Sequence, residues 1–366
     1  MTLLLREIYN TPLLWLLALV PTVLATEALK PEAHTLLFIL SVLAIVPLAA
    51  LLSRATEAVA SRTGDMIGGL LNATLGNLTE LLIALAALRA GQYVLVKASI
   101  AGAIVTNALF MLGASFLLGG LKHRVQDYNR NNARLQAGLL FLATIAILIP
   151  SVVADIGGGV AQAAFAQALS ACIAVLLIVT YGLGLLFSLH THREFFSGAD
   201  HADSGDAEWP VVLALGTLAG VTVLVALVSE IFVESVQHAA TELGLSPAFV
   251  GFIIVALVGG AAEMVAAFSA ARKNRLDLSV GIALGSASQI ALFVAPILVL
   301  LSYVLGPAPM NLQFWPGAVA MMLIASMTAS LVTNTGRSAW FVGALVIVVY
   351  LVFALTLFLM PPRVAS

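Results

Sequence analysis

The residues with the clearest chemical potential lie inside a long apolar stretch, 68–88. At about 1.5 Å per residue, this stretch is long enough to cross the ~30 Å hydrocarbon core of a bilayer. It nevertheless contains Glu80, and a carboxylate at that depth usually faces a protein interior or a wet cavity and has a function. In a continuous helix, Asn72, Gly76 and Glu80 would share one face, with Asn77 close to it. Gly76 leaves room beside the carboxylate for a backbone or an ion.

A second copy of this pattern lies downstream. Gly259 precedes Glu263 by four residues, as Gly76 precedes Glu80, and the offset of 183 residues is half of the 366-residue chain. At the same offset, polar and small residues of the next apolar stretch also match: Gly102, Thr106 and Phe110 pair with Gly285, Gln289 and Phe293. These matches predict an internal duplication.

Two acids brought together by such a duplication predict a site for a hard cation. Calcium takes about six to eight oxygen ligands. Two carboxylates would neutralise its charge, and amides, hydroxyls, waters and the backbone carbonyls beside Gly76 and Gly259 would complete the shell. Soft thiolate ligands are absent from both stretches, which disfavours copper or zinc. Because neighbouring carboxylates repel in a low-dielectric site, each holds either a proton or the cation, and this competition suffices to couple cation and proton movement.

The composition excludes a soluble domain. Hydrophobic residues make up 61% of the chain and charged residues 9%, whereas soluble proteins carry about a quarter charged residues. The formal net charge of −2 and the lack of a basic patch exclude nucleic acid as a partner. The composition therefore predicts an all-α polytopic protein whose main surroundings are the lipid bilayer, with no resident cofactor.

Hydropathy predicts about eleven transmembrane helices. With the N-terminus in the cytoplasm, twelve of the sixteen lysines and arginines lie on that side, which predicts a C-terminus outside. The predicted spans are 13–30, 35–56, 67–89, 95–119, 137–154, 161–189, 210–237, 248–271, 279–304, 315–332 and 339–360.

Eleven spans divide into one extra helix and two repeats of five. We predict an N-terminal helix in 1–34, a first repeat in 35–189, a linker in 190–209 and a second repeat in 210–366. Because five is odd, the two repeats have opposite topologies, which is the inverted-repeat plan of secondary transporters with the substrate held near the midplane. The acidic, histidine-containing linker is predicted to be cytoplasmic, and is either a solvated connection or a segment that collects cations.

Three further acids are weaker candidates for a role in transport. Glu230 and Glu234 are one turn apart on the seventh span, and Glu230 either lines the permeation path or makes a structural hydrogen bond. Glu57 lies near the cytoplasmic interface beside Arg54 and Arg62. An interfacial ion pair is as good an explanation for Glu57 as a functional role.

Two long motifs resemble a known family. GLLNATLGNLTELLIAL with KASIAGAIVTNALFMLG is similar to the first α-repeat of the cation/proton exchanger branch of the calcium/cation antiporter superfamily. GGAAEMVAAFSAARKNRLDLSVGIALGSASQIALFVAP resembles its second α-repeat, and the likeness covers roughly 35–360. The resemblance implies a Ca²⁺/H⁺ antiporter, in which Glu80 and Glu263 form the central cation site. It further implies polar residues that support or line this site: Asn77, Thr106, Asn107, Ser286 and Gln289.

Two departures from the family pattern keep other substrates open. The second repeat has Gly260 and Met264 where the family usually has Asn and His, so an antiporter for another cation, such as Mn²⁺ or Na⁺, is the alternative. A cation channel is less favoured, since channels are commonly symmetric oligomers and this chain is duplicated within itself. No zinc-protease, serine-hydrolase or paired-aspartate motif is present, so we expect neither an enzyme nor catalytic residues. The compact length favours a bacterial inner membrane over a vacuolar one.

Overall fold

The fold is helical almost throughout. The computed structural model describes residues 6, 8, 9, 11–63, 65–154, 160–191 and 209–360. The predicted linker lies largely outside these residues. The helices of the first half are α1 (Pro12–Leu29), α2 (His34–Ala60), α3 (Asp65–Leu75), α4 (Leu78–Arg89), α5 (Tyr93–His123), α6 (Arg130–Ala154) and α7 (Val160–Leu186).

The second half repeats this order. Its helices are α8 (Val211–Glu242), α9 (Pro247–Gly259), α10 (Ala261–Arg272), α11 (Leu276–Leu305), α12 (Pro316–Thr333) and α13 (Trp340–Leu359). A short antiparallel ribbon joins the halves at one face, with β1 (Val125–Asp127) paired to β2 (Arg337–Ala339).

The transmembrane character of the chain is confirmed. Within the described residues, nine helices are long and apolar enough to cross a membrane, and a tenth span results if α9 and α10, bent by 58°, count as one. The predicted span 67–89 consists of the two shorter helices α3 and α4. The total of eleven spans, like the orientation of the termini, stays a prediction.

A pair of long packed helices and two π-helical turns shape the middle of the bundle. Helices α2 and α8 pack along each other, and the rings of Phe38 and Phe232 stack at 5.5 Å between centroids. Helices α5 and α11 each contain a π-helical turn, at Thr106–Met111 and Ile290–Val294. When 183 residues are added to the first turn, it coincides with the second to within one residue. Such turns often occur at functional sites.

Candidate cation-binding site

Both candidate acids follow a break in a helix. Asn77 lies at the break between α3 and α4 with φ −100° and ψ 28°, and Gly260 lies at the break between α9 and α10 with φ −79° and ψ 7°. Glu80 and Glu263 each stand in the first turn after their break. A helix end exposes free carbonyls and a helix start exposes free N–H groups, so each break supplies backbone polar groups beside a carboxylate.

The break corrects one expectation from the sequence. The continuous helix assumed for 68–88 is not formed, because α3 ends at Leu75 and α4 begins at Leu78. Asn72 is therefore exposed on α3, while Glu80 is buried on α4. The two side chains do not share one face of a single helix.

The acids of the two repeats meet at the centre. Glu80 is 9% exposed, and a β-carbon built at Gly259 would lie 2.8 Å from its Cγ and 3.6 Å from its Oε1. Glu263 is half-buried and hydrogen-bonded to Ser286, and the Glu80 carboxylate acts on it electrostatically. The Oε2 atom of Glu263 has no hydrogen-bond partner in the described part of the chain. Predicted site residues from both repeats therefore lie together at this point: Glu80, Gly259, Glu263 and Ser286.

A hydrogen bond between the repeats closes one side of this centre. Asn77, which is 3% exposed, donates from Nδ2 to Oε1 of Gln289 at 2.6 Å. The Oδ1 atom of Asn77 has no partner among the described residues. Gly76 lies beside this bond, and a β-carbon there would be at an ordinary contact distance of 3.6 Å from the same Gln289 oxygen. An amide oxygen is thus left free beside the acids.

Thr106 and Asn107 of α5 differ in their hydrogen bonding. The hydroxyl of Thr106 donates to the hydroxyl of Tyr350 at 3.3 Å, so Thr106 is tied to α13. Asn107 is 1% exposed, and neither polar atom of its amide has a partner in the described residues. Its Oδ1 lies 3.6 Å from the position of a β-carbon on Gly260. Sequence reasoning missed Tyr350, because a lone tyrosine in an apolar helix gives no spacing signal.

The other two predicted acids have hydrogen-bonding or ionic partners of their own. Glu230 forms an ion pair with Arg89 at 2.8 Å, and Arg89 ends α4, roughly 13 Å along that helix from Glu80. Glu57 is exposed on α2 and accepts a hydrogen bond from Ser53 at 3.4 Å. Glu230 is therefore held at the far end of α4 from Glu80.

The two faces of the site are packed differently. On one face, a β-carbon at Gly102 of α5 would lie 2.2 Å from the Phe252 carbonyl oxygen of α9, and one at Gly251 would lie 2.6 Å from Cβ of Ala98. These contacts bring the two backbones together and close that face.

The corresponding positions on the other face have no such contact. The repeat offset pairs Gly102 with Gly285 and Ala98 with Gly281. A β-carbon at Gly285 would find its nearest neighbour 3.7 Å away, and one at Gly281 would meet no described atom within 4 Å. On the predicted cytoplasmic face, the start of α3 packs against Ala60 and Leu189, and the start of α11 lacks the close backbone contact that joins α5 to α9.

The possible cation ligands are mostly oxygen atoms. In the ranges that the structure describes, no group of three or more His, Cys, Asp or Glu side chains is arranged to hold a metal ion. A cation at the centre would rely on two carboxylates and on neutral oxygens, which are the ligands that calcium prefers.

Comparison with known proteins identifies the family. The profile of the sodium/calcium exchanger protein family matches 33–190 and 213–359. The Ca²⁺/H⁺ antiporter of Aphanothece halophytica is 38% identical over 366 residues, covering 96% of this chain and 97% of that protein. The Ca²⁺/H⁺ antiporter ChaA of Bacillus subtilis is 38% identical over 327 residues, covering 88% and 92%. The solved structure of native YfkE superposes with a TM-score of 0.81 at 36% identity, covering 95% of this chain and all of that one. The chain belongs to the sodium/calcium exchanger protein family.

Proposed function

We propose that this protein is a secondary antiporter that exchanges Ca²⁺ for H⁺ across a membrane. The observation that carries the proposal is the convergence of Glu80 and Glu263, one from each repeat, at two matching helix breaks. The relatives named above as Ca²⁺/H⁺ antiporters support the choice of ions, because they match the chain over nearly its whole length. Their class also supports a transporter rather than an enzyme.

The paired acids bind either the cation or protons. With Ca²⁺ present, both carboxylates are ionised and neutralise its charge, and the unpartnered amide oxygen of Asn77 and the hydroxyl oxygen of Ser286 beside Glu263 complete part of the shell. With no cation, two neighbouring like charges repel, so protonation of the carboxylates is favoured. The two occupants therefore exclude each other at one site.

Alternating access follows from the free-energy cost of closing the site while both carboxylates are charged and no cation is bound. Moving two unpaired carboxylates through a closed, dehydrated state is strongly unfavourable, so the site changes face only with a cation or with protons bound. Each elementary charge that crosses a potential of 100 mV is worth about 2.3 kcal/mol, so inward proton flow can drive cation export. The bacterial relatives support a bacterial inner membrane location, and the excess of lysine and arginine on one side supports a cytoplasmic N-terminus.

The test uses purified protein in lipid vesicles with an imposed pH gradient. We expect calcium uptake coupled to opposite proton movement in the wild type and in Glu230→Gln, and loss of both fluxes in Glu80→Gln and Glu263→Gln. Normal exchange in Glu80→Gln would exclude the proposed site. Gradient-driven movement of Mn²⁺ or Na⁺ without calcium movement would show that the antiporter carries that cation instead of calcium. Calcium flux without proton counterflow would indicate a channel.

A further inference from the structure

A small polar cavity lies between α6 and α11, on the predicted cytoplasmic side of the paired acids. It has room for about 10 Å³, which is the space of a single water. Its wall includes Asn132 and Gln136 from α6 and Asp277 from the first turn of α11. Asp277 accepts a hydrogen bond from the backbone N–H of Asn129, and Oδ1 of Asn132 accepts one from Nε2 of Gln136 at 3.0 Å. Polar residues therefore surround a space of the size of one water.

Gln136 has a side-chain oxygen that no described residue satisfies. Its Oε1 is buried and has no hydrogen-bond partner in the described part of the chain, although its Nε2 is bonded to Asn132. An unpaired buried acceptor is costly, and proteins commonly satisfy such atoms with an ordered water. The same oxygen lies 3.7 Å from the position of a β-carbon on Gly285. Gln136 therefore reaches from the cavity toward the middle of α11.

Gly285 connects this cavity to the cation site. The next residue along α11, Ser286, is hydrogen-bonded to Glu263. The hydroxyl of Ser288 donates to the backbone carbonyl of Gln136 at 3.3 Å, which holds α6 against this part of α11. Gln136 therefore stands between the cytoplasmic end of α11 and the acid of the second repeat.

The matching place in the other half of the chain is apolar. The repeat offset of 183 pairs each of the three polar wall residues with an apolar one: Asn132 with Trp315, Gln136 with Val319 and Asp277 with Val94. The ring of Trp315 packs against that of Phe252, with 6.4 Å between centroids. The fold can thus fill this place with apolar side chains, and polar residues on one side only indicate a use.

We propose that this cavity is part of a proton route of ordered waters from Glu263 to the cytoplasm, and that the amide oxygen of Gln136 binds one of these waters. Calcium needs six to eight oxygen ligands and does not fit in the space of one water, whereas a proton needs only hydrogen-bonded waters. When the Glu263 carboxyl O–H bond breaks, a water takes up that proton and passes one of its own onward, so no water is consumed. This inference rests on the proposed antiport function and adds a separate path for one of its two ions.

The first test removes the oxygen at nearly constant side-chain size. A residue that positions a water on a proton route affects the rate of exchange and leaves the equilibrium affinity for Ca²⁺ unchanged. In vesicles at saturating calcium, we expect Gln136→Met to lower the exchange rate about tenfold. The ratio of the rates in H₂O and D₂O should rise to at least about two, because proton transfer becomes rate-limiting. The dissociation constant for Ca²⁺ of the purified variant should stay within about threefold of the wild type.

Two further variants separate the oxygen from packing. Gln136→Glu keeps an oxygen at the same place and should exchange within about threefold of the wild-type rate. Asn131→Leu replaces an exposed amide on the same helix by an apolar side chain of similar size, and it should exchange like the wild type. The melting temperature of each variant is measured beside its rate.

The outcomes separate this inference from the proposed function. If the wild type shows no calcium/proton exchange, the proposed function fails before any variant is compared. If the wild type exchanges and Gln136→Met keeps both its rate and its isotope ratio, the inference is wrong while the function stands. Loss of Ca²⁺ affinity as large as the loss of rate would overturn it by making Gln136 a cation ligand. Equal slowing in Gln136→Glu would overturn it by indicating a packing effect.

Discussion

Gly259 of the second repeat packs directly against Glu80 of the first. A β-carbon at Gly259 would lie 2.8 Å from Cγ and 3.3 Å from the carboxyl carbon of Glu80. The matching glycine does not repeat this contact, because a β-carbon at Gly76 would meet the Asn72 carbonyl oxygen and Gln289 instead. Glu80 is therefore held by the opposite repeat, whereas Glu263 keeps an unpartnered oxygen.

Gly259→Ala should displace the Glu80 carboxylate and impair exchange. A methyl group cannot be accommodated at 2.8 Å from Cγ without a shift of the acid, and misplacement of a reacting group by about 1 Å can cost on the order of a hundredfold in rate. We expect at least a tenfold loss of exchange rate in vesicles, by the same order-of-magnitude argument. Gly281→Ala is the control, because a β-carbon there meets no described atom within 4 Å. Wild-type rates in Gly259→Ala would show that the contact is unimportant.

The hydrogen bond between Asn77 and Gln289 should appear as an energetic coupling between the repeats. Because the 2.6 Å bond is buried, we expect the effects of Asn77→Ala and Gln289→Ala on half-saturating calcium to be non-additive by about 1 kcal/mol. Half-saturation measured in the wild type, both single variants and the double variant gives this coupling. Strictly additive effects would mean that the two amides act independently.

The acids were predictable from the sequence, and their pairing partners were not. A carboxylate within an apolar stretch is costly wherever the helix packs, so Glu80 and Glu263 stand out in any arrangement of the spans. The bond from Asn77 to Gln289 joins residues 212 positions apart and depends on how the helices pack. The helix break at Asn77 was missed because the residues around it preserve helical spacing.

The same limit explains the predictions for Glu230. An acid inside the run VALVSEIFV indicates a buried role, but hydropathy does not show that the end of α4 brings Arg89 within 2.8 Å of it. The duplication itself was visible at a fixed offset. The unequal packing at the two faces of the site was not visible in the sequence, because it belongs to one conformation of the protein and not to the repeat pattern.

Glu230→Gln should have little effect on exchange or stability. The side chains of Arg89 and Glu230 are 60% and 46% exposed, and an exposed ion pair is worth at most about 1 kcal/mol. We expect the exchange rate in vesicles to stay within about threefold of wild type and the melting temperature to change little. Loss of exchange comparable to that of Glu80→Gln would instead place Glu230 in the permeation path.

The unequal packing of the two faces predicts unequal accessibility of paired positions. Ala98 is 0% exposed where α5 meets α9, whereas Gly281, its partner at the repeat offset, has open space around it. In a Cys172→Ser background, which removes the single native thiol, we expect Gly281→Cys to react with a membrane-impermeant maleimide at least about tenfold faster than Ala98→Cys.

The side of labelling tests the orientation at the same time. Because twelve of the sixteen lysines and arginines are predicted to be cytoplasmic, Gly281→Cys should be labelled in inside-out vesicles and protected in right-side-out ones. A melting curve of each variant shows that the added sulfur has not disrupted the packed position at Ala98. Labelling from the opposite side would reverse the predicted topology. Equal labelling of both positions would show that the closed face opens readily, and alternating access would then require a barrier elsewhere than the contact between α5 and α9.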